Sequence, residues 1–272
     1  MTDNVVSSQK PPKKQRKKRA WELDFLRGFA ILMVVFDHAM VTIGFLFRNL
    51  WLTSESEGLA QACERAMEYL NSSLRAVGWP IFIIIFFGVS GLCTAFSRNN
   101  FFRGIRLTVF ALLITLCTYL FELILGVEGL LITFGVIHCI SACILLYALL
   151  SLVIRLFNRR NNRFIKSGIL LAVGAVLLVL NKLYNVPFSL VSNTYVVVDS
   201  DSFFLGFFMI GAGLAGILYP NRKSLLPAVL DKPWHYPFTI PGRLSLLIYI
   251  ASQVVIFAVC ALITYSVMGV LY

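Results

Sequence analysis

The chain has 272 residues, of which 58% are hydrophobic and only 14% are charged, and its formal net charge is +11. A soluble domain contains about 45–50% apolar and about 25% charged residues, so this composition excludes an ordinary soluble protein. It is typical of a chain that crosses a membrane several times. A basic chain can also bind nucleic acid, but no nucleic-acid-binding motif is visible, and we expect no such partner.

Much of the net positive charge lies in a polar tail at the N-terminus. Residues 1–20 include Pro11, Pro12 and seven Lys or Arg residues, a composition that predicts disorder. Basic residues next to a membrane helix hold its end against anionic cytoplasmic lipid, so this tail is predicted to lie in the cytoplasm. Residues 21–272 are then expected to form a single transmembrane domain.

Seven apolar segments follow the tail, and each is long enough to cross a hydrocarbon layer of about 30 Å. The connections after the second, fourth and sixth segments are rich in Lys and Arg, whereas the other connections are poor in them or offset them with acidic residues. This alternation predicts an all-α, polytopic transmembrane helix bundle of about seven spans, with the N-terminus inside and the C-terminus outside. The predicted spans are residues 25–47, 79–97, 104–126, 130–156, 166–183, 203–219 and 243–269.

The outer loop of residues 48–78 has a helical pattern of its own. Ser54 and Glu57 have the spacing of a capping box. From Leu59 to Val77, apolar residues recur at helical spacing with charged residues on the opposite face. The pattern predicts an amphipathic helix that lies on the membrane or caps the bundle.

Proline and glycine distinguish the last third of the chain. The inner connection of residues 220–242 contains five prolines, and because proline stops helices, this density predicts a stiff irregular segment. Glycines in the sixth span are predicted to let helices approach closely. These glycines are Gly206, Gly211, Gly213 and Gly216.

The first span carries four ionisable residues, Asp24, Arg27, Asp37 and His38. Placing a charged side chain in hydrocarbon costs at least about 2.5–3.5 kcal/mol, so each of these residues is expected to have a structural or functional role. With Arg27 at the inner interface, His38 lies about 16 Å further along the helix and therefore near the membrane midplane. Asp37 and His38 are predicted to face the bundle interior or a water-filled cavity.

Three other spans place polar residues at a similar depth. Ser90 and His138 lie about 12 Å, and Gln253 about 15 Å, from the nearer membrane surface. We therefore expect one central polar layer to which four helices contribute. The six cysteines do not have the spacing of a metal site, and no metal is expected.

Such a layer contains the groups that acid–base catalysis needs. A neutral imidazole can take a proton from an attacking hydroxyl or amine and later return it, so His38 and His138 are candidate bases. Asp37 is a candidate to orient the imidazole or balance its charge, but adjacent helical residues diverge by about 100°, so a contact with His38 stays open. Ser90 or Gln253 could donate a hydrogen bond to an oxyanion.

Two other classes of function use the same residues. A midplane aspartate and histidine could form the proton relay of a small-solute transporter, although the chain shows no internal repeat. An intramembrane histidine can also serve only as a hydrogen-bond donor between helices in a protein without chemistry, such as a membrane sensor or scaffold.

Four stretches of the chain, in order, resemble one family. The first span follows the pattern E-x-D-x-x-R-G-x-A-I and ends at His38, and the other stretches are residues 87–91, 134–140 and 242–249. Together they resemble the heparan-alpha-glucosaminide N-acetyltransferase catalytic-domain family. The Arg-Gly-to-His element is also similar to the opening of the acyltransferase-3 family. Where many members carry His-Gln-Pro, this chain has Ser252, Gln253 and Val254.

The resemblance implies acyl transfer across a membrane, with acetyl-CoA as donor and an amine or hydroxyl of a sugar or other small molecule as acceptor. It implies that His38 is the general base and that Arg27 contacts the anionic donor. Because the family is best known in prokaryotes, it implies a multi-pass protein of the bacterial inner membrane, either alone or as a homo-oligomer. The predicted catalytic residues are His38, Asp37 and His138, and the predicted binding residues are Arg27, Asp24, Ser90, Arg243 and Gln253.

Overall fold

The computed structural model describes residues 20–125, 131–158, 162–184, 201–227, 230 and 232–269. Within these ranges the chain forms helices and turns and no strand. The predicted disordered tail, apart from Ala20, lies outside the described residues. So do the outer turn at residues 127–129 and most of the outer loop before the sixth span.

The described residues contain ten α-helices. A π-helical turn at Thr42–Leu46 prolongs α1, and short 3₁₀ segments follow α4 and precede α9. The helices are α1 (Trp21–Val41), α2 (Arg48–Leu52), α3 (Glu57–Leu70), α4 (Ser73–Leu92), α5 (Asn100–Leu125), α6 (Val136–Phe157), α7 (Arg163–Tyr184), α8 (Asp201–Leu218), α9 (Tyr236–Arg243) and α10 (Ser245–Met268).

Six helices in the described part of the chain are long and apolar enough to cross a membrane, judged by length and composition. They are α1 with its π-helical turn, α4, α5, α6, α7 and α10, and they match six of the predicted spans. The remaining predicted span corresponds to a shorter apolar helix at Phe203–Leu218. The prediction of a transmembrane helix bundle is therefore confirmed, while the direction of insertion stays a prediction.

The outside of the bundle is apolar, as a lipid-facing surface must be. On α5, Ile124 is 77% exposed, and on α10, Leu247 is 62% exposed. Rows of large apolar side chains at this exposure would be unfavourable in water, whereas lipid chains solvate them. The protein is thus an integral, multi-pass membrane protein.

The main core lies among α4, α6, α7 and α8, where Phe87, Ile144, Leu170 and Phe208 are almost fully buried. Beside this core, α1 packs against α4, α9 and α10. The helix α1, which carries the ionisable residues, therefore lies between the core and the last helix.

Glycines allow the closest helix contacts, as predicted for the sixth span. A methyl group added at Gly211 would overlap the carbonyl group of Gly88, and one added at Gly91 would overlap the carbonyl oxygen of Phe208. These glycines bring the backbones of α4 and α8 together. The remaining predicted packing glycines lie against α7, and they are Gly206, Gly213 and Gly216.

The prediction of an irregular proline-rich connection is wrong for its last part. Residues 236–243 form α9, which begins with a proline in its first turn and contains Pro241. Proline is tolerated in a first helical turn, where its missing N–H would have no partner in any case. This short helix packs closely on α1, because an added methyl group at Gly28 or Gly242 would overlap the facing backbone.

The predicted amphipathic helix is confirmed as α3, although it ends at Leu70 and the following residues already belong to α4. The predicted capping box is wrong. Ser56 is the N-cap residue, and the Ser54 hydroxyl donates instead to the carbonyl oxygen of Trp51 at 2.7 Å. The Trp51 indole donates to the Thr264 hydroxyl at 2.8 Å, so this region covers one end of the bundle. We call that end the outer end and the end where α1 begins the inner end.

Candidate functional site

The regular geometry of α1 places Arg27 and His38 on one face of the helix. They are separated by about 16 Å and by about 20° of rotation, since eleven residues make almost exactly three turns. Beyond His38, the Thr42 hydroxyl donates to the His38 carbonyl oxygen at 2.8 Å, where the helix passes into its π-helical turn. Such turns are frequent at functional sites.

His38 faces the last helix. Its ring contacts the Tyr249 ring edge to face, with 5.7 Å between the ring centres. The Nδ1 atom of His38 is buried and has no partner at hydrogen-bond geometry among the described residues, although the Val34 backbone, one turn earlier, interacts with the ring. Gln253 lies one turn beyond Tyr249 on α10, and its Nε2 atom is likewise buried without a partner in the described structure. Buried polar atoms normally have partners, so two unpartnered atoms on packed helices indicate a place for a polar ligand or water.

Asp37 pairs with an arginine rather than with His38. The Arg75 Nε atom donates to Asp37 Oδ1 at 2.6 Å, and Arg75 Nη2 donates to Oδ2 at 3.2 Å. The Tyr69 hydroxyl donates to Oδ1 at 3.3 Å. The structure therefore answers the open question of what Asp37 contacts. The Asp37 carboxylate joins α3 and α4 to α1. Only its charge, and no direct contact, acts on the neighbouring His38 imidazole.

Arg75 and Tyr69 were not among the predicted site residues. A buried carboxylate predicts a cationic partner, because an unpaired buried charge is strongly unfavourable. The outer loop offers three arginines for this role, and nothing local distinguishes among them. In the structure, burial together with the adjacent Asp37 carboxylate raises the pKa of Tyr69, so its hydroxyl stays a donor.

At the inner end, three of the predicted binding residues come together. Asp24 accepts a hydrogen bond from Arg243 Nε at 3.2 Å and forms an ion pair with Arg27 Nη2 at 3.5 Å. Arg27 Nη2 also donates to the Cys93 sulfur at 3.3 Å. The Nε atom of Arg27 is buried and lacks a partner among the described residues. The group therefore has an unused donor.

Glu22, the first residue of the recognised pattern, has a structural role that the sequence did not reveal. Its carboxylate accepts hydrogen bonds from the Tyr219 hydroxyl at 3.2 Å, the Ser224 hydroxyl at 2.7 Å and the Leu225 amide at 2.9 Å. It thereby fixes the segment after α8 against the start of α1. Burial and the adjacent carboxylate raise the pKa of Tyr219.

His138 lies in a different environment from His38. Its Nδ1 accepts from the Gly135 amide at 3.1 Å, so the proton is on Nε2, which donates to the Thr115 hydroxyl at 3.0 Å. The Thr115 hydroxyl in turn donates to the Ile132 carbonyl oxygen at 2.8 Å. Nε2 therefore joins the start of α6 to α5, whereas Nδ1 binds the N-cap residue of α6 itself. The described contacts do not join His138 to His38, and its role as a second base stays a prediction.

The last predicted binding residue, Ser90, is buried beside Gly91 on α4, which packs against α8. This position favours a packing role. Within the described residues, no group of three or more His, Cys, Asp or Glu side chains could hold a metal ion. The site is therefore described by His38, Tyr249 and Gln253 in its middle and by the arginines at the inner end.

A family model described as heparan-alpha-glucosaminide N-acetyltransferase, catalytic, matches residues 19–254. The chain belongs to this family. The match begins just before α1 and ends in α10, directly after Gln253, so it includes the whole site described above. No curated protein and no solved structure matches the chain. The family resemblance predicted from four short stretches is confirmed, and it supports a membrane acetyltransferase-type function.

Proposed function

We propose that the protein transfers an acetyl group from cytosolic acetyl-CoA to an amine or hydroxyl of a sugar or similar acceptor, with His38 as general base. One observation carries the assignment of the base. The His38 ring is packed against Tyr249 of α10, and its Nδ1 atom has no partner among the described residues. Gln253, one turn beyond Tyr249 on the same helix, has an unpartnered amide as well. The family supports the class of reaction, while the donor, base and acceptor are our proposal.

The reaction follows from these atoms. With the proton on Nε2, His38 Nδ1 takes the proton of the acceptor N–H or O–H as the acceptor attacks the thioester carbonyl carbon. A carbon–nitrogen or carbon–oxygen bond forms, and the carbonyl oxygen becomes an oxyanion to which Gln253 Nε2 donates. The intermediate then collapses, the carbon–sulfur bond breaks, and the leaving thiolate takes the proton back from the imidazolium. No additional reactant is needed.

The donor is proposed to lie along α1 with its phosphates at the inner end. Arg27 is on the same helical face as His38, about 16 Å away, and the pantetheine arm of CoA separates its thioester from its phosphates by a distance of this order. Arg27 retains an unpartnered Nε donor, and a guanidinium suits phosphate oxygens. The residues present therefore fit an anionic donor.

A proton-coupled transporter is the alternative, and the ion pair at Asp37 argues against it. A carboxylate that carries protons must lose and regain its charge, whereas the Asp37 carboxylate is bound by two donors of Arg75. Neutralising one partner of a buried pair would leave the charge of the other partner uncompensated, which is unfavourable. The structure thus favours a fixed role for Asp37.

The test uses the purified protein with radiolabelled acetyl-CoA and a panel of amino sugars. His38→Ala is expected to lower the transfer rate by about 10²–10⁴-fold, the contribution of a positioned base. Ser252→Ala is the matched control, since its hydroxyl donates only to a carbonyl of its own helix. Transfer by His38→Ala within tenfold of the wild type would exclude His38 as the base. Absence of product and of CoA binding, together with solute flux in proteoliposomes, would favour transport.

A further inference from the structure

The inner end of the bundle carries more positive charge than its carboxylates balance. The Asn100 side chain donates to the Thr94 carbonyl oxygen at 3.1 Å, which holds the first turn of α5 beside Cys93, the residue that Arg27 contacts. Arg103, on this turn, is half-buried, and its charge and that of Arg27 repel each other. No carboxylate pairs with Arg103 among the described residues. Asp24 is shared between Arg27 and Arg243, and the carboxylate of Glu22 is occupied by three other donors. Three guanidinium groups therefore share one available carboxylate.

The immediate surroundings of the two arginines do not compensate for this excess. Both guanidinium groups are near the Cys93 thiol, which is only a weak acceptor. Arg27 Nε is buried with no partner in the described structure. Two like charges that are partly withdrawn from water are unfavourable unless a counter-charge is present. A bound anion between Arg27 and Arg103 would satisfy both the charge and the unused donor.

We propose that Arg103, together with Arg27, binds a phosphate group at the inner end of the bundle. The planar guanidinium group suits phosphate because it can donate two parallel hydrogen bonds to its oxygens. This inference rests on the proposed function in one respect: the phosphate is then that of the acyl donor. The same chemistry would also recognise the headgroup of an anionic lipid, and the experiment separates the two sources.

The binding experiment compares Arg103→Gln with Arg106→Gln, a control on the same helix whose side chain is exposed. The protein is placed in nanodiscs of phosphatidylcholine only, and binding of CoA and of pantetheine, which lacks phosphate, is measured. Arg103→Gln is expected to weaken CoA binding at least tenfold and to leave pantetheine binding unchanged. Arg106→Gln is expected to leave both unchanged. Arg103→Lys keeps the charge without the bidentate geometry and should give an intermediate affinity.

The lipid source is tested in nanodiscs that contain phosphatidylglycerol, by native mass spectrometry of the retained lipid. If Arg103→Gln loses bound phosphatidylglycerol and keeps normal CoA affinity, the phosphate group belongs to a lipid and the assignment to the donor is overturned. If Arg103→Gln changes neither CoA binding nor lipid retention, the whole site is overturned.

Two further measurements separate this proposal from its alternatives. Removing one of two repelling charges should leave the thermal stability of the ligand-free protein unchanged or raised, whereas a structural Arg103 would give a less stable variant. Because binding is measured without turnover, a wild-type protein that binds CoA but transfers no acetyl group would contradict the proposed function and leave this site standing. Conversely, acetyl transfer by the wild type together with unchanged CoA affinity in Arg103→Gln would support the proposed function and contradict this site.

Discussion

The two ends of α1 carry similar residues, but the charges are balanced at one end and unbalanced at the other. At the outer end, Asp37 and Arg75 balance each other in a pair with two hydrogen bonds, and the Asp37 side chain is only 4% exposed. At the inner end, Asp24 faces two arginines, and Arg103 adds a third positive charge. A balanced pair holds helices in place, whereas an unbalanced group can still attract an anion. One helix thus combines a structural ion pair with a candidate binding site.

The largest effect on stability is expected from breaking the balanced pair. Asp37→Asn leaves the Arg75 guanidinium without a counter-charge and should destabilise the protein by about 3 kcal/mol, toward the lower limit for a broken buried pair because Arg75 keeps some solvent. Chemical unfolding in detergent micelles measures this. The double variant Asp37→Leu with Arg75→Leu should recover part of the loss. A double variant whose loss equals the sum of the two single losses would show that the pair is not coupled.

The two histidines should respond differently to substitution. His138→Ala removes one hydrogen bond that joins α6 to α5 and a second one to the N-cap residue of α6, and it should destabilise the protein by about 2 kcal/mol. Its transfer rate per folded molecule should fall by less than tenfold, in contrast to the much larger loss expected for His38→Ala. Unfolding and transfer assays on both variants check this. Equal rate losses in the two variants would show that His138 also takes part in the reaction.

A smaller effect is expected at the inner end. Asp24→Asn should lower the free energy of unfolding by about 1 kcal/mol, because the Arg243 side chain is 44% exposed and water screens its charge. Since the variant increases the positive charge around Arg27, it should also bind CoA more tightly. Thermal unfolding and CoA titration give the two values. A loss of stability as large as that of Asp37→Asn would contradict the distinction between the two ends.

The smallest effect concerns pH. The raised pKa of Tyr69 means that the folded protein holds this proton more tightly than the unfolded chain does. Its contribution is therefore complete below the ordinary tyrosine pKa of about 10 and is lost as the pH rises through the raised value. Tyr69→Phe should be slightly less stable at pH 8 and should lose less stability than the wild type on going to pH 11. A difference in the free energy of unfolding between Tyr69→Phe and the wild type that is the same at every pH would exclude this contribution.

Much of the fold was predictable because lipid imposes simple local rules. Long apolar segments and the polar connections between them predicted the membrane class and the spans, and α3 followed from its amphipathic spacing. The errors lie where packing overrides local preference. The proline-rich connection forms α9 against α1, and Ser54 bonds to Trp51 instead of capping α3.

The sequence alone predicted how far each polar residue lies along its helix, because hydropathy identifies the membrane helices and the rise per residue is constant. That is why His38, Gln253 and Arg27 could be proposed from spacing and from a family pattern. Only the tertiary structure decided which side chains meet: Asp37 with Arg75, His38 with Tyr249, and His138 with Thr115. The physical reason is that the ionisable residues of α1 do not share one face and that α10 is apolar on almost every face, so periodicity does not specify how either helix is rotated. Rotation is set by the packing of helices on one another.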